Sequence, residues 1–511
     1  GISSISYRDP ETGKCVKNHQ EQSLNKNLDI YPSPYVQGVF DYLFDEYPNI
    51  DLQAIIETNR GCPYDCSFCY WGKSDLGLKY TQFSLEYVKK VIDWCGQKNI
   101  KYIFCADSNF GIFKQKDYEI TEYLVETKKK YGYPDKFRVC TSKNAEEAVF
   151  KIVKLLTDHD MDKGFTMALQ SNDPETLKNI GRSNIKSTAY FNIQKKCGQK
   201  KISSYTELIV GLPGESYETF VNGLGKIFNL DTDRNYLFVY PCQVLTNTQL
   251  ANKDYMEKFR IKTSRIPLHE LHVMARNNDD VQEYEDIVIS TSTMSVEEWK
   301  KMMVLSWLVQ LFYGLKSFFY VMCYLRKEYD LDVMKLVDYI IDNCVLNDTI
   351  LGFVLNEFRN KTEDIVNGRG KFDIISEFGN MFWSMEEISY LYVCDKIDSF
   401  YKELFEIVIE FLGEENAEKR DILREVFKYQ RNRISLNEKV DKLEHTFEYN
   451  IPEYFDKLFY EERIQIIRKP QIMGILNYKF FDDKKQFAKE IVMHGRHSNK
   501  TVFEVEWENV S

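Results

Sequence analysis

The sequence predicts an α/β protein in two unlike parts: a parallel sheet wrapped by helices, then a mainly helical region that ends in a small β hairpin. Three observations predict this. Between residues 52 and 240, short apolar runs alternate six times with amphipathic helical stretches, and repeated strand–helix units build parallel sheets with the helices outside. Past Gln243 the alternation stops, and from Ser295 helical periodicity dominates to about Thr446. A chain of 511 residues also exceeds what one hydrophobic core holds, so two or three domains are expected. The divisions fall at 1–50 (an N-terminal linker), 51–262 (the core barrel), 263–294 (a connecting segment), 295–450 (a helical domain) and 451–511 (an α+β tail).

Taken in order, residues 1–50 are polar and irregular, with prolines at 32 and 34 and one short helix within 36–47. The first strand covers 52–57, and Ser84 caps a helix to about 99 whose apolar face is Tyr87, Val88, Val91, Ile92 and Cys95. Strands then follow at 100–106, 137–140, 164–170, 203–210 and 236–240. Helices alternate with them at 118–131, 145–156, 173–180, 188–197 and 217–230. Beyond the barrel, 286–291 reads as a strand, and 296–327, 331–343, 348–357 and 385–412 read as helices. The tail ends in two strands, 490–494 and 501–507, with His494 and His497 in or beside a solvated turn.

Composition narrows the function. Sixty-seven Lys and Arg stand against 78 Asp and Glu, a net charge of −11 with no long basic run, which argues against a general nucleic-acid surface. Nine of the 12 cysteines are scattered singly among mostly apolar neighbours, as free thiols are in a reducing cytoplasm. Residues 302–325 carry only Lys316 as a charge, but a mid-span Lys is costly in a bilayer, so a buried core helix is expected and no transmembrane segment. The chain opens Gly1-Ile-Ser-Ser4 with no signal-peptide pattern, and is expected to be a piece of a longer protein.

The remaining three cysteines carry the chemistry. Cys62, Cys66 and Cys69 stand in a C-x3-C-x2-C spacing just after the first strand, with aromatic Phe68 before the last. Thiolates hold iron–sulfur clusters, and a cubane has four irons, so three ligands on one loop leave one iron open. The next cysteine, Cys95, lies in a helix. A zinc knuckle is the plainer alternative, but structural zinc takes four ligands and no fourth His or Cys stands at the required spacing. His269-Glu-Leu-His272 is a weaker metal candidate, since on a strand residues three apart face opposite sides. The aromatic series Trp307, Phe312, Phe318 and Phe319 reads as helix core.

The loop resembles the signature of the radical S-adenosylmethionine (radical SAM) superfamily. That resemblance implies a partial (β/α)6 TIM-like barrel, a 4Fe–4S cluster on the three cysteines and SAM on the open iron. It further implies reductive cleavage of SAM to a 5′-deoxyadenosyl radical, fed by a low-potential donor such as flavodoxin or ferredoxin.

The family's other contacts map onto further strand ends. Cys105-Ala-Asp-Ser-Asn-Phe-Gly111 offers Asp107 and Asn109 to the SAM ammonium, although a plain turn would use the same residues. After the fourth strand come Gln170 and Ser171, which resemble the family's ribose and carboxylate contacts, and Arg182 for a carboxylate; alternatively Ser171 caps the next helix. Glu207-Leu-Ile-Val-Gly-Leu-Pro-Gly-Glu215 resembles the adenine motif, with Glu207, Gly211, Gly214 and Glu215 as candidates; Glu215 equally suits a helix N-terminus.

Within the superfamily, Ile30-Tyr-Pro-Ser-Pro-Tyr35 is similar to the linker of the branch that carries a cobalamin-binding domain upstream, and Tyr240–Thr248 resembles the same branch with Thr246 in place of Pro. The resemblance covers residues 28–310 and implies cobalamin-dependent methylation of an unactivated carbon in a small-molecule, lipid-precursor or peptide substrate. The alternatives are a non-methylating radical SAM enzyme of epimerase or cyclase type, and a non-catalytic Fe–S electron-transfer protein.

Overall fold

The computed structural model describes residues 6–510 apart from 18–26, 72–79, 143–145, 163, 276–280, 345–347, 414–415, 440–442 and 497–498. His497 therefore lies outside the described residues, while His494 is exposed in a turn.

Six strands carry the first part: β1 Gln53–Ile56, β2 Tyr102–Phe110, β3 Lys136–Thr141, β4 Phe165–Gln170, β5 Ser204–Val210 and β6 Asn235–Pro241. They pair as two parallel sheets, β1-β2-β3 and β4-β5-β6. Between the sheets, Thr141 Oγ1 donates to Thr166 O at 3.0 Å. Among the described residues no ladder joins β6 back to β1, so the six strands form an open, partial barrel.

Local chemistry explains the helices between them. Ser84 accepts from Tyr87 N at 3.1 Å and starts Leu85–Gln97, whose Val88, Val91, Ile92 and Cys95 are buried at helical spacing. Lys114–Tyr131 ends in Lys128, Lys129 and Lys130, where cations face the carbonyl end of the helix. A capping box between Ser216 and Thr219 starts Tyr217–Phe228.

The two sheets lie over different cores. Beneath β1–β3, a smaller core collects Ile56, Ile92, Ile103, Phe110, Leu124 and Phe137. Beneath β4–β6, Leu208, Val210 and Leu237 belong to a much larger core with Trp299, Phe312, Phe358 and Phe400 from the C-terminal half.

That half departs from expectation in its breaks. The single helix expected over 296–327 is two, and Val296–Gly314 meets Phe319–Glu328 at 89°. Docking on β6 explains the bend. The π turn Gln310–Gly314 brings Gly314 against Leu237 O, where an added Cβ would lie at 2.9 Å. Lys316, at φ +66°, is fully buried at the break and donates Nζ to Asn235 O at 2.6 Å, with the Phe319 ring 3.9 Å away. No single described helix is long and apolar enough to cross a membrane.

Further helices are Val333–Asn343, Ile350–Val366, Met385–Cys394, Ile397–Leu412 and Ala417–Arg433, so the expected helix over 385–412 breaks at Asp395 and Lys396.

The tail needs a correction. Glu490 to Met493, expected as a strand, is helical: Lys484–Phe487 runs into the π turn Ala488–Met493, with Ala488 and Val492 buried four residues apart on one face. The last strand, Val505–Asn509, instead pairs with Arg468–Ile475, which pairs with Glu444–Tyr449, giving an antiparallel sheet of three strands.

Candidate active site

The cysteine loop leaves the C-terminal end of β1, where ligands gather in parallel α/β sheets. Asp107 on β2 builds this exit. Its Oδ1 accepts from Thr58 N at 2.7 Å and Asn59 N at 3.2 Å; its Oδ2 accepts from Asn59 Nδ2 at 2.7 Å and from the Thr58 hydroxyl. Burial raises the Asp107 carboxyl above the ordinary carboxylate range, against the pull of these donors. All four contacts go to the two residues that follow Glu57, so Asp107 aims the backbone into the loop. Thr58 and Asn59 were not legible as site residues, because their role depends on a strand 48 positions away.

The loop is then pinned from the far side of the barrel. Ser67 N donates to Ile180 O at 2.9 Å, and the Tyr255 hydroxyl meets Ser67 Oγ at 3.1 Å and donates to Asn179 O at 2.8 Å. Phe68 packs with Ile180, Leu212, Tyr255 and Val288 in a small apolar cluster, so this aromatic holds the loop down.

Cys62 and Cys66 are buried and Cys69 is partly open. Two of the sulfurs face donors brought from elsewhere in the barrel: Asn109 Nδ2, on β2, lies 3.2 Å from Cys62 Sγ, and Arg182 Nη1, in the loop after the helix Pro174–Asn179, lies 3.8 Å from Cys66 Sγ. Arg182 is itself held by Asn184 Oδ1 at 2.7 Å and by Ala168 O. Asn184, a residue without a sequence signal, ties Leu169 O and Ser171 O at 2.8 and 2.9 Å.

The end of β4 is strained. Gln170 sits at φ +66° beside a bulge in the ladder to β5, a backbone region that non-glycine residues rarely adopt. The next residue, Ser171, donates to Glu215 Oε1 at 2.6 Å and clasps the β4 and β5 ends together. Burial pushes the Glu215 carboxyl up to about 8, so it carries a proton at neutral pH. Its Oε2 has no hydrogen-bond partner among the described residues, and neither does Asn109 Oδ1; both side chains are almost fully buried.

Glu207 lies inside β5, half-buried, where its charge acts on Arg182 and Tyr240. Gly211 (φ +101°) and Gly214 (φ +103°) both need left-handed backbone; a Cβ on Gly211 would press on Cys242 and Val288 O at 3.3 Å, and one on Gly214 would meet Asn179 Nδ2 at 2.4 Å.

Two other metal candidates resolve differently. His269 stacks on Phe382 at 4.1 Å while His272 meets Glu387 Oε2 at 3.0 Å, so the pair is split between two partners on a loop. Among the described residues no three His, Cys, Asp or Glu side chains converge closely enough to enclose a metal ion. The donor set nevertheless fits an iron–sulfur group: three thiols on one strand-end loop, an amide and a guanidinium on two of the sulfurs, and an orphaned amide oxygen beside them.

Comparison with known proteins agrees. The radical SAM superfamily profile matches residues 56–224. A 2-(S-pantetheinyl)-carbapenam-3-carboxylate methyltransferase of Streptantibioticus cattleyicolor is 28% identical over 82% of this chain and 63% of its own length. The cobalamin-dependent radical SAM methyltransferase TokK of Streptomyces tokunonensis is 30% identical over 69% of this chain and 52% of its own. The chain thus spans about half to two thirds of the length of these relatives. Among solved structures, the radical SAM methyltransferase TsrM from Kitasatospora setae aligns over 52% of this chain and 53% of that one, with TM-score 0.38 and 16% identity. The match assigns residues 56–224 to the radical SAM superfamily, whose cofactors are a 4Fe–4S cluster and SAM.

Proposed function

We propose that the chain is a radical SAM enzyme that methylates an unactivated carbon with the help of cobalamin. One observation carries the enzymatic part: thiols of the loop after β1 meet Asn109 from β2 and Arg182 from beyond β4 at one end of the sheet. The methyl-transfer part rests on the names of two relatives and on the Ile30–Tyr35 segment.

In this reading Cys62, Cys66 and Cys69 hold the cluster. Bound cluster and SAM together supply reductive C–S cleavage and a hydrogen-abstracting radical. The chain's own groups do the rest. Asn109 donates to one ligand sulfur and Arg182 to another, and both stabilise negative charge on thiolates. Glu215, protonated near neutrality and with an orphaned Oε2, offers a hydrogen bond at the β5 end, beside the strained Gln170 and the exit of Arg182. Asp107 positions the loop through Thr58 and Asn59. Gly211 and Gly214 shape the turn that a flat ring would approach. The C-terminal helices cover the β4–β6 side with apolar bulk, which keeps water from a reactive centre. A low-potential flavodoxin or ferredoxin is the proposed electron donor.

The test is anaerobic: reconstitute the cluster, add dithionite, SAM and hydroxocobalamin, and quantify 5′-deoxyadenosine and S-adenosylhomocysteine by mass spectrometry. The proposal expects deoxyadenosine, with Cys66→Ala lowering it at least about a hundredfold to background, since an iron site loses a ligand. S-adenosylhomocysteine in addition supports methyl transfer; deoxyadenosine alone supports the non-methylating reading. A cluster whose EPR signal ignores SAM overturns both.

A further inference from the structure

Where β6 ends, the barrel and the helical half enclose a cavity of about 360 Å³. Its walls include Phe238 and Tyr240 of β6, Trp307 and Phe372, and its floor is ionic: His272, Gln310, Glu386, Glu387 and Arg496 all reach it. None of these belongs to the cysteine site.

The charges are built in, not scattered on a surface. Arg496, 4% exposed, donates to Glu386 Oε1 at 2.7 Å, to Glu387 Oε1 at 3.2 Å and to Gln310 Oε1 at 3.0 Å. Its guanidinium also sits 4.4 Å from the Phe238 ring centroid. Gln310 is fixed in turn by Val239 N at 3.0 Å. Glu387 Oε2 takes His272 Nε2 at 3.0 Å, and His272 and Arg496 together hold the Glu387 carboxyl well below the usual range, against burial. Every polar atom of Glu387 is thereby used. Glu386 differs: it is 4% exposed, and its Oε2 has no partner among the described residues. Lys371, the other cation on the wall, is taken by Glu285 at 2.7 Å. Among the described residues, the carboxylate oxygen of the floor left without a donor is therefore Glu386 Oε2.

A buried carboxylate oxygen without a donor is costly unless a partner arrives. The partner that fits is a cation carrying hydrogen-bond donors, and the aromatic walls favour an apolar or aromatic body attached to it. We infer that this cavity binds a small molecule bearing a primary ammonium group on an apolar body, with the ammonium on Glu386. That this molecule is the substrate rests on the radical SAM reading; that the cavity binds it does not. The link between the two is β6, whose Tyr240 lines the cavity and whose Phe238 stands opposite Glu207 in the ladder to β5.

The experiment is calorimetric and needs neither cluster nor SAM. The full chain is titrated with 2-phenylethylamine and, separately, with 3-phenylpropionate, a matched amine and acid. The inference expects saturable amine binding, on the order of millimolar for so small a probe, and at least about tenfold weaker binding of the acid. Glu386→Gln keeps an acceptor for Arg496 and should erase the preference for the amine. Phe372→Ala, at a partly exposed wall position where folding is not at stake, should weaken the amine several-fold. The inference is overturned if neither probe saturates, if the acid binds as well as the amine, or if Glu386→Gln leaves the amine unchanged. Failure of deoxyadenosine formation with these binding results intact would sink the enzyme reading and leave the cavity assignment standing.

Discussion

The two sheets of the barrel are built alike and supported differently. β1–β3 carry the cysteine loop over a small core of their own, and polar contacts such as the Asp107 clasp on Thr58 and Asn59 set the loop's exit. β4–β6 lean on the helical half through one large shared core, and their far end holds the buried charges around Arg496. Parallel strands thus solve two problems. One sheet presents a loop to a metal group over a core of its own; the other shares its core with the region that walls the cavity.

The comparison breaks most sharply at Arg496. Arg496→Leu leaves Glu386 and Glu387 buried with their guanidinium gone, and breaking a buried pair from one side costs about 3–5 kcal/mol. Because Gln310 and the β6 backbone belong to the same network, the loss should appear as a global drop in denaturation midpoint. A midpoint within experimental error of the parent would mean that the shared core does not depend on the ionic floor.

Asp107→Asn probes the other sheet. The substitution turns an acceptor of four donors into a mixed group facing Asn59 Nδ2, at a cost of about 2–3 kcal/mol. Here the effect should be local. Amide hydrogen exchange should accelerate through residues 58–69, while protection in Val296–Val309 stays at parent values. Equal acceleration in both places would show that the two cores unfold as one.

The same contrast explains what was legible in the sequence. All six barrel strands and their intervening helices lie within a few residues of where periodicity put them, because each is short and regular and some are started by caps such as Ser84 and Ser216. Strand-end residues are also local in sequence, so Asn109 beside Cys62 and Ser171 beside Glu215 arise from motifs that stand next to their strands. The helical half gave no such handle. Its break at Lys316 comes from docking on Asn235 O, and its ionic floor draws His272, Gln310, Glu386, Glu387 and Arg496 from widely separated stretches. No spacing rule connects them. The terminal segment failed for a related reason: Ile491-Val-Met493 is too short a run to separate strand from helix by pattern alone.

A pH-dependent effect lies within the second sheet, at the Ser171–Glu215 clasp. The folded Glu215 carboxyl binds its proton more tightly than the unfolded one, with a value of about 8 against 4.5. Its contribution to stability is therefore complete below about pH 4.5 and is lost as pH rises towards 8, at a slope of up to about 1.4 kcal/mol per pH unit. Glu215→Gln removes the titration, so its stability relative to the parent should grow from pH 5 to pH 8 in denaturant melts. Burial alone would give that slope whether or not Ser171 takes part. Ser171→Ala separates the two, because losing the 2.6 Å donor raises the carboxyl further and carries the parent's loss of stability to higher pH, yet leaves the pH dependence unchanged once Glu215 is Gln. Strict additivity of the two substitutions at pH 7 would mean that the clasp carries no coupling between the β4 and β5 ends, and that Glu215 is a buried acid with a neighbour and no partner.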